Sequence, residues 1–541
     1  MPTPPRSLSQ VTVCLLLLGV LGFAMSAQYA IGMPPLLKAD EKQHAAYAIV
    51  LSQGVLPTID TNTPADPVRY PQFAEALFGL DEPRRDIWVA NHPPLFYVMS
   101  LPLVWLGDAV GNVGVTLLGM RLLNALGYAL SIILVGLLAR ELVPRRRVVA
   151  VLGAAMVLGC GAVTYDGGAI YNDGWGTVAA STTLLLGFRM VREGVTRDRL
   201  VWATVAGVAA AGFRSTGLVA VLVLGGCVLA ALWLRDPTMR TFRRGVFLAI
   251  RIGLAPVIVI GWFYVRNIVL YGDPTASAAL FEKFSRQTHG DTLFQLVNPQ
   301  LYLHLYGSLW ADDVIPKIWI LAAVATLAVT VTGLVLDANA KARPRPAGVM
   351  RRVVIPGPEP TLLERRLELA VRALMGIYCV IIIVNLASFH AGGGWIHARY
   401  AVPFLPAIAA LTSLAILRVG RRWVTCPDTV PDAVPDAVPD EERVDLVIAF
   451  YACAGFIVSA LVAHLHIQQR IDGPADAAWL VALIAADVVM LAVAAYVTAQ
   501  LRRRLRPETF DPAPCPAEAA APVGTLLTSG QKRSSRRSFS G

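Results

Sequence analysis

Two acidic residues and a histidine stand close together early in the chain, in the segment ADEKQHAAYAIVLSQGVLP. Asp40 and Glu41 are adjacent, and His44 follows one helical turn later. One interpretation is structural, because Asp is a good N-cap and an acidic side chain in the first turn is stabilised by the helix dipole. The other is catalytic, because a carboxylate can act as a general base and take a proton from an acceptor hydroxyl. The residues alone leave both interpretations open.

A further acidic residue suited to chemistry occurs in YDGGAIYNDGW, where Asn172 precedes Asp173. Asp173 is expected to begin a helix, so a capping role alone explains it. If Asp40 and Asp173 face the same side of a membrane, however, both can contribute to one site. Asp173 is therefore a candidate catalytic residue, and Asn172 is a candidate that shapes the site.

Three arginines lie at the ends of apolar segments: Arg214 in AAAGFRSTGLVAV, Arg266 in YVRNIVLYGDP, and Arg399, followed by Tyr400, in GGGWIHARYAVPFLPA. An arginine at the centre of a spanning helix costs about 2.5–3.5 kcal/mol on insertion scales, and one that reaches water costs less. Contact with water is one explanation for Arg214. The other is an anionic ligand, because guanidinium groups bind phosphate oxygens through paired hydrogen bonds.

Three histidines are expected on the same side as these groups, namely His92, His390 and His397. Three imidazoles can bind zinc, but the sequence has no HExxH or comparable spacing of ligands. No metal site is therefore predicted. His44 and His92 are kept as candidates that contact an acceptor or shape the site.

The elements that must position these residues are membrane helices. Of 541 residues, 55% are hydrophobic and only 16% are charged, whereas about 25% are charged in an average soluble domain. This composition excludes a soluble enzyme, a disordered chain and a fibrous protein, and it predicts an all-α polytopic membrane protein. The net charge of +10 indicates cytoplasmic loops against anionic lipid rather than a nucleic-acid partner.

The apolar runs predict twelve transmembrane helices. They lie at about 11–31, 116–139, 148–166, 173–189, 199–213, 216–234, 246–265, 318–336, 368–390, 400–418, 445–467 and 477–500.

The apolar run at 93–106 is ambiguous, because it is shorter than the ~18 residues that favour a span and it contains Pro102. The positive-inside rule decides its placement. If it lies flat on the outer interface, six basic clusters all fall in the cytoplasm. These clusters are at 140–147, 189–199, 235–244, 341–366, 418–422 and 502–506. Both termini are then cytoplasmic, and the candidate site residues are extracytoplasmic.

The predicted organisation has four parts. The first part is a main transmembrane module at 1–418, which contains a folded first extracytoplasmic loop at 32–115 and a later loop at 266–317. It is followed by a cytoplasmic linker at 419–444, a C-terminal helical hairpin at 445–500, and a disordered basic cytoplasmic tail at 501–541. Asp487, in the last predicted span, has no functional interpretation.

The order of the motifs resembles a known superfamily. A first span is followed by DE-x-x-H, HPPLFY, an arginine near the start of the second span, YND after the third, a basic residue in a short hairpin, RN-x-x-x-YGDP and ARYAVPFLPA. This order is similar to that of the GT-C superfamily of polyprenyl-phosphate-sugar-dependent glycosyltransferases. Within it, the chain resembles the bacterial relatives of protein O-mannosyltransferases and of the lipid A aminoarabinose transferase. The resemblance runs from about residue 10 to 415.

The resemblance implies a GT-C-like bundle of about 12 spans in which the 1–418 module is catalytic. Asp40 matches the catalytic acidic residue of the first loop, and Glu41 matches its neighbour, which often contacts the acceptor. Asp173 matches the second acidic position. The implied enzyme is a hexosyl- or pentosyltransferase that inverts the sugar, with Asp40 as general base.

The resemblance also implies residues that bind the donor. Arg214 stands where relatives usually have a lysine that binds the donor phosphate, and Arg399 and Tyr400 match a pair near the lipid phosphate. Arg266 joins them as a phosphate-binding candidate, and His92 matches a segment that shapes the interfacial helix.

The expected partners are a polyprenyl-phosphate sugar donor, membrane lipids, and a glycan, lipid or protein acceptor on the extracytoplasmic side of a bacterial plasma membrane. No cofactor is required, although a divalent cation bridging Asp40 and Asp173 is compatible with the resemblance, because some relatives use one. The alternative is a transporter or flippase of a lipid-linked glycan. Transporters usually place polar residues near the midplane and show internal repeats, whereas here the ionisable residues gather at helix ends.

Overall fold

A computed structural model describes residues 10–311, 317–342, 361–424 and 441–468. Within these ranges the regular structure is helical, and the only β pairing is an isolated antiparallel bridge between Asn62 and Asp86. The prediction of an all-α membrane protein is therefore confirmed.

The described residues contain the following α-helices: α1 (Gln10–Gly32), α2 (Glu41–Ser52), α3 (Pro71–Leu77), α4 (Glu82–Arg85), α5 (Leu95–Ala109), α6 (Val113–Leu142), α7 (Val148–Gly159), α8 (Gly161–Gly167), α9 (Asp173–Glu193), α10 (Arg197–Phe213), α11 (Gly217–Trp233), α12 (Met239–Tyr271), α13 (Ser277–Lys283), α14 (Thr292–Val297), α15 (Pro299–Ser308), α16 (Ile320–Ala342), α17 (Leu362–Ala391), α18 (Leu405–Val424) and α19 (Glu441–Gln468). Short 3₁₀ helices occupy Trp88–Asn91, Lys317–Trp319 and Ala398–Phe404.

The number of spans differs from the sequence prediction. Seven helices of the described residues are long and apolar enough to cross a membrane, and the bent pair α7–α8 makes an eighth if it counts as one span. Helices α10 and α11 occupy two predicted spans but have only 17 residues each, short of the ~20 that a span needs. The count of twelve is thus not confirmed, and the predicted span at 477–500 lies outside the described residues.

The predicted span at 148–166 is broken rather than continuous. Cys160 leaves the helical conformation, and α7 and α8 meet there at 70°. Asn124 of α6 fixes the chain after the break, because its amide donates hydrogen bonds to the carbonyls of Asp166 and Ala169 at 3.1 and 2.8 Å. Hydropathy alone contains no signal for such a side-chain anchor. As a result the chain turns tightly here, and α9 begins at Asp173.

Helix α6 lies at the centre of the bundle, where it packs on α1, α5, α7, α9 and α18. Its contact with α9 depends on a glycine, because a Cβ atom at Gly127 would lie 3.0 Å from the backbone of Gly174 and Trp175. The close approach of these two helices brings the start of α9 against α6.

The segment between α1 and α6, residues 33–112, is called the first loop below. It is folded around a hydrophobic cluster that includes Tyr47, Phe73, Phe96 and Tyr97 and extends to residues of α6, α9 and α10. The ambiguous run at 93–106 forms most of α5, which has 15 residues, contains Pro102 and packs on α2 and α6. The prediction of a folded first loop is confirmed.

The C-terminal part is only partly described. Helix α18 continues to Val424 and α19 begins at Glu441, so both helices extend into the predicted linker at 419–444. A buried carboxylate, Asp445 of α19, accepts hydrogen bonds from Arg146 and Arg421 at 2.6 Å each. Residues 425–440 of the predicted linker, the predicted tail at 501–541 and Asp487 lie outside the described residues.

Candidate functional site

A cavity of about 770 Å³ lies between α9, α11, α12, α17, α18 and the 3₁₀ helix Ala398–Phe404. Side chains that are far apart in sequence meet in its wall. The predicted site residues in the wall are His92, Asp173, Arg214, Arg399 and Tyr400. The apolar wall includes Leu184, Tyr264, Tyr378, Ile382, Leu386 and Phe389. The cavity therefore joins a charged region to an apolar region formed by membrane helices.

Asp40 stands directly before α2 with a left-handed backbone (φ 65°) and makes no side-chain capping bond. The structure therefore does not support the interpretation that the Asp40 side chain caps α2. Its carboxylate instead accepts a hydrogen bond from Trp88 Nε1 at 3.0 Å and forms an ion pair with Arg399. Burial raises the pKa of Asp40, but the charge and hydrogen bond of Arg399 outweigh it and hold the pKa well below its usual range. Asp40 is therefore ionised.

A buried salt bridge holds the turn that carries Asp40. Arg121 of α6 binds Glu41 through two hydrogen bonds, Nε to Oε1 at 2.7 Å and Nη2 to Oε2 at 2.9 Å. Both side chains are almost fully buried. The same guanidinium donates to the main-chain carbonyls at the end of α1 and just after it. These carbonyls belong to Ala30, Met33 and Pro34.

The structure does not bring Glu41 to the cavity, although it was predicted to contact the acceptor. Its Oε1 also accepts the backbone N–H of Ile170 at 3.2 Å, so both oxygens are engaged inside the protein. Glu41 anchors the turn instead. Sequence reasoning gave Arg121 no individual role, although an arginine inside a predicted span is itself a signal of a buried partner.

Asp173 is the first residue of α9 and is buried. Its Oδ1 accepts a hydrogen bond from Arg214 Nη1 at 2.5 Å, and the same nitrogen donates to Asn172 Oδ1 at 3.1 Å. Arg214 follows α10 in the short turn to α11. This is the position expected from the predicted hairpin of two short apolar segments. Gly176 leaves room for it, because a Cβ atom there would lie 3.1 Å from the Arg214 side chain.

The two carboxylate–guanidinium pairs belong to one site. Arg399 lies in the cavity wall and contacts Asp40, while Arg214 and Asp173 line the same cavity. Arg399 also lies over the ring of Tyr171, 4.5 Å from its centroid. In the described part of the chain, Arg399 Nε has no hydrogen-bond acceptor. A guanidinium with an unused N–H suits an anionic ligand.

His44 and His92 are neutral neighbours of this site. Their rings are stacked with centroids 5.8 Å apart, and His44 Nδ1 is 2.9 Å from the Tyr97 hydroxyl. Burial lowers the pKa of His44 to about 3 and lowers that of His92 well below its usual value. Only His92 reaches the cavity wall. His390 and His397 are not part of that wall.

Arg266 does not join the other arginines. Its Nη2 donates to the carbonyl oxygens of Leu56 and Pro57, at 3.4 and 2.7 Å, and it is not part of the cavity wall. It therefore ties the end of α12 to the first loop. The structure therefore does not bring Arg266 to the cavity with the other predicted phosphate-binding residues, because its Nη2 is directed toward these carbonyls.

The site suits an anion better than a cation. The described residues contain no group of three potential metal ligands, and each catalytic candidate, Asp40 and Asp173, already faces an arginine. A divalent cation bridging the two carboxylates would have to displace both guanidinium groups. The residues therefore do not fit the cation that some relatives use.

The cavity thus places two arginines, each paired with an aspartate, next to an apolar region formed by membrane helices. The sequence model of the dolichyl-phosphate-mannose-protein mannosyltransferase family matches residues 71–288. This match confirms the predicted resemblance. The matched segment is similar to membrane glycosyltransferases that take their sugar from a polyprenyl-phosphate donor. Asp173 and Arg214 lie within the matched residues, and Asp40 and Arg399 lie outside them.

Solved structures with a similar fold include three from this class. ArnT from Cupriavidus metallidurans bound to undecaprenyl phosphate is 16% identical, with 90% of this chain and 77% of that chain covered and a TM-score of 0.40. AglB from Archaeoglobus fulgidus, in complex with an inhibitory peptide and a dolichol-phosphate, is 11% identical (86% and 57% covered, TM-score 0.44). The arabinosyltransferase EmbB from Mycobacterium smegmatis is 15% identical (94% and 42% covered, TM-score 0.35). A comparison with curated proteins finds no match.

Proposed function

We propose that this protein transfers a sugar from a polyprenyl-phosphate donor, bound in the cavity, to an acceptor on the extracytoplasmic side of the plasma membrane. The observation that carries the proposal is the pair of contacts Asp40–Arg399 and Asp173–Arg214 around one cavity. The charged region of the cavity suits a phosphate, and the apolar region suits the first units of a prenyl chain.

Arg399 and Arg214 hold the donor phosphate in this mechanism. As the bond between the sugar C1 and the phosphate oxygen breaks, negative charge grows on the leaving phosphate. Guanidinium groups that are already in place stabilise that charge without reorganisation. Tyr400 lies beside Arg399, with the guanidinium 5.6 Å from its ring centroid, and helps to keep that side chain at the cavity.

Asp40 serves as the general base. The acceptor hydroxyl attacks C1 from the face opposite the phosphate, its proton passes to Asp40, and the sugar is inverted. An aspartate paired with an arginine is a weak base, but the donor phosphate attracts the same Arg399. Donor binding therefore weakens the ion pair and raises the basicity of Asp40 when the acceptor needs it. Asp173 keeps Arg214 in place.

The test is transfer by Asp40→Asn. The purified protein is incubated in lipid nanodiscs with a panel of polyprenyl-phosphate sugars and membrane acceptors. We expect Asp40→Asn to lose transfer by about 10²–10⁴-fold, the usual contribution of a general base. Glu75→Gln, which neutralises an exposed carboxylate of the first loop, is the matched control and keeps full activity. Transfer by Asp40→Asn within a few-fold of the unaltered protein would remove Asp40 as base. Movement of the donor across the bilayer without transfer would favour a flippase.

A further inference from the structure

The first loop contains two basic side chains without a carboxylate partner. Its basic residues are Lys38, Lys42, Arg69, Arg84 and Arg85. Three of these are ion-paired: Lys38 with Asp166, Arg69 with Asp108, and Arg85 with Glu82. Within the described part of the chain, Lys42 and Arg84 form no ion pair. All other basic charge of the loop is thus neutralised locally.

Lys42 and Arg84 lie near one another beside Asp40. Lys42 is in the first turn of α2, two residues after Asp40, and the neighbouring Gln43 donates its Nε2 to the main-chain carbonyl of Arg84 at 3.3 Å. This hydrogen bond fixes the backbone of Arg84 against the first turn of α2. Arg84 is exposed and Lys42 is half-buried.

The placement of Lys42 is electrostatically unfavourable without a ligand. Burial lowers the pKa of Lys42, the charge of Arg84 lowers it further, and Asp40 only partly compensates. A cation in the first turn of a helix also opposes the helix dipole. An ordinary surface lysine would extend into water and avoid these costs. An anion bound beside both Lys42 and Arg84 would offset the burial of Lys42, its repulsion by Arg84 and its unfavourable interaction with the helix dipole.

The position of Asp40 indicates which substrate this anion belongs to. Asp40 does not line the donor cavity, yet its side chain is 21% exposed. Asp40 is thus partly open to solvent outside that wall, and it contacts the wall through Arg399. Lys42 and Arg84 are in the first loop, which supplies Asp40 but only a small part of the cavity wall.

We propose that Lys42 and Arg84 bind a phosphate monoester of the acceptor and so direct its hydroxyl to Asp40. This inference rests on the proposed function. A phosphate monoester carries about −1.5 to −2 charges at pH 7, which matches two cations, whereas a carboxylate would neutralise only one. The phosphate comes from a lipid headgroup or from a sugar phosphate, and both present the same group to the site.

Binding of small probes to the purified full-length protein tests the site. Undecaprenyl phosphate is present at saturation in every sample, so that the phosphate site of the donor is filled. The probes are dihexanoylphosphatidic acid for a lipid headgroup, glucose 6-phosphate for a sugar phosphate, glucuronate for a carboxylate, and glucose. Their Kd values are measured for the unaltered protein, Lys42→Gln, Arg84→Gln, the conservative variant Lys42→Arg and the control Arg69→Gln. The control removes an equivalent charge from the same loop.

We expect at least one phosphate probe to bind, and to bind more tightly than glucuronate or glucose. Lys42→Gln and Arg84→Gln should each weaken that binding by about tenfold or more, as expected for a hydrogen bond to a charged group. Arg69→Gln and Lys42→Arg should leave it within about threefold. Equal binding of glucuronate, or the same loss in Arg69→Gln, would overturn the inference.

A failure of the proposed function gives a different result. If undecaprenyl phosphate does not bind and no donor sugar is transferred, the glycosyltransferase mechanism fails whatever the probes do. Lys42→Gln can hydrolyse the donor, releasing its sugar to water, at the rate of the unaltered protein and yet fail to bind the phosphate probes. That result supports both proposals. If transfer to the acceptor and its KM are unchanged in Lys42→Gln and Arg84→Gln, the acceptor site alone is contradicted.

Discussion

At the scale of single residues, Arg399 is the side chain that connects the two substrates in the proposed mechanism. It lies in the donor cavity and also pairs with the carboxylate of Asp40. A donor phosphate and Asp40 therefore compete for one guanidinium. This sharing explains how a carboxylate whose pKa is held low can still accept a proton, because it becomes more basic once the donor is bound.

Removal of the guanidinium should change how the rate depends on pH. Arg399 lowers the pKa of Asp40 and burial raises it, so in Arg399→Gln the pKa rises. The unaltered protein should keep its activity on mild acidification, whereas the rate of Arg399→Gln should fall as the pH drops through the raised pKa of Asp40. The measurement is kcat/KM between about pH 5 and pH 8. In Arg214→Gln, the control, the acid side of the profile should not move. Identical profiles for Arg399→Gln and Arg214→Gln would refute the shared role of Arg399.

At the scale of elements, the buried salt bridge from α6 to α2 places Asp40. Arg121 joins Glu41 to the end of α1, so one side chain connects three elements. Sequence reasoning predicted the helices because hydropathy and length define them one at a time. It gave Arg121 no individual role and missed Trp88 and the break at Cys160, since these depend on lateral contacts that no periodicity records.

Loss of one partner should leave the other charge buried and unpaired. Arg121→Leu is therefore expected to destabilise the protein by about 3–5 kcal/mol. Thermal unfolding of the detergent-solubilised protein measures this loss. Arg69→Gln, which breaks the exposed pair with Asp108, should cost no more than about 1 kcal/mol. If the two variants unfolded at the same temperature, the buried pair would not be the anchor described here.

At the scale of the whole molecule, the fold brings together residues from three distant parts of the chain. The sequence predicted that Asp40, Asp173, Arg214 and Arg399 would meet, because charge bias in the connecting segments placed all four on one side of the membrane. In the structure Asp173, Arg214 and Arg399 line one cavity, and Asp40 contacts Arg399 without lining it. Arg266 met the same criterion and does not join the site, because a shared side of the membrane does not determine a lateral position.

The most direct test is an experimental structure of the protein with undecaprenyl phosphate. We expect the phosphate in the cavity, within hydrogen-bond distance of Arg399 and Arg214, and an Arg399–Asp40 contact that is longer than in the free protein. A phosphate bound away from both arginines, or an Asp40 that stays fully paired with Arg399 beside a bound phosphate, would contradict the proposed mechanism.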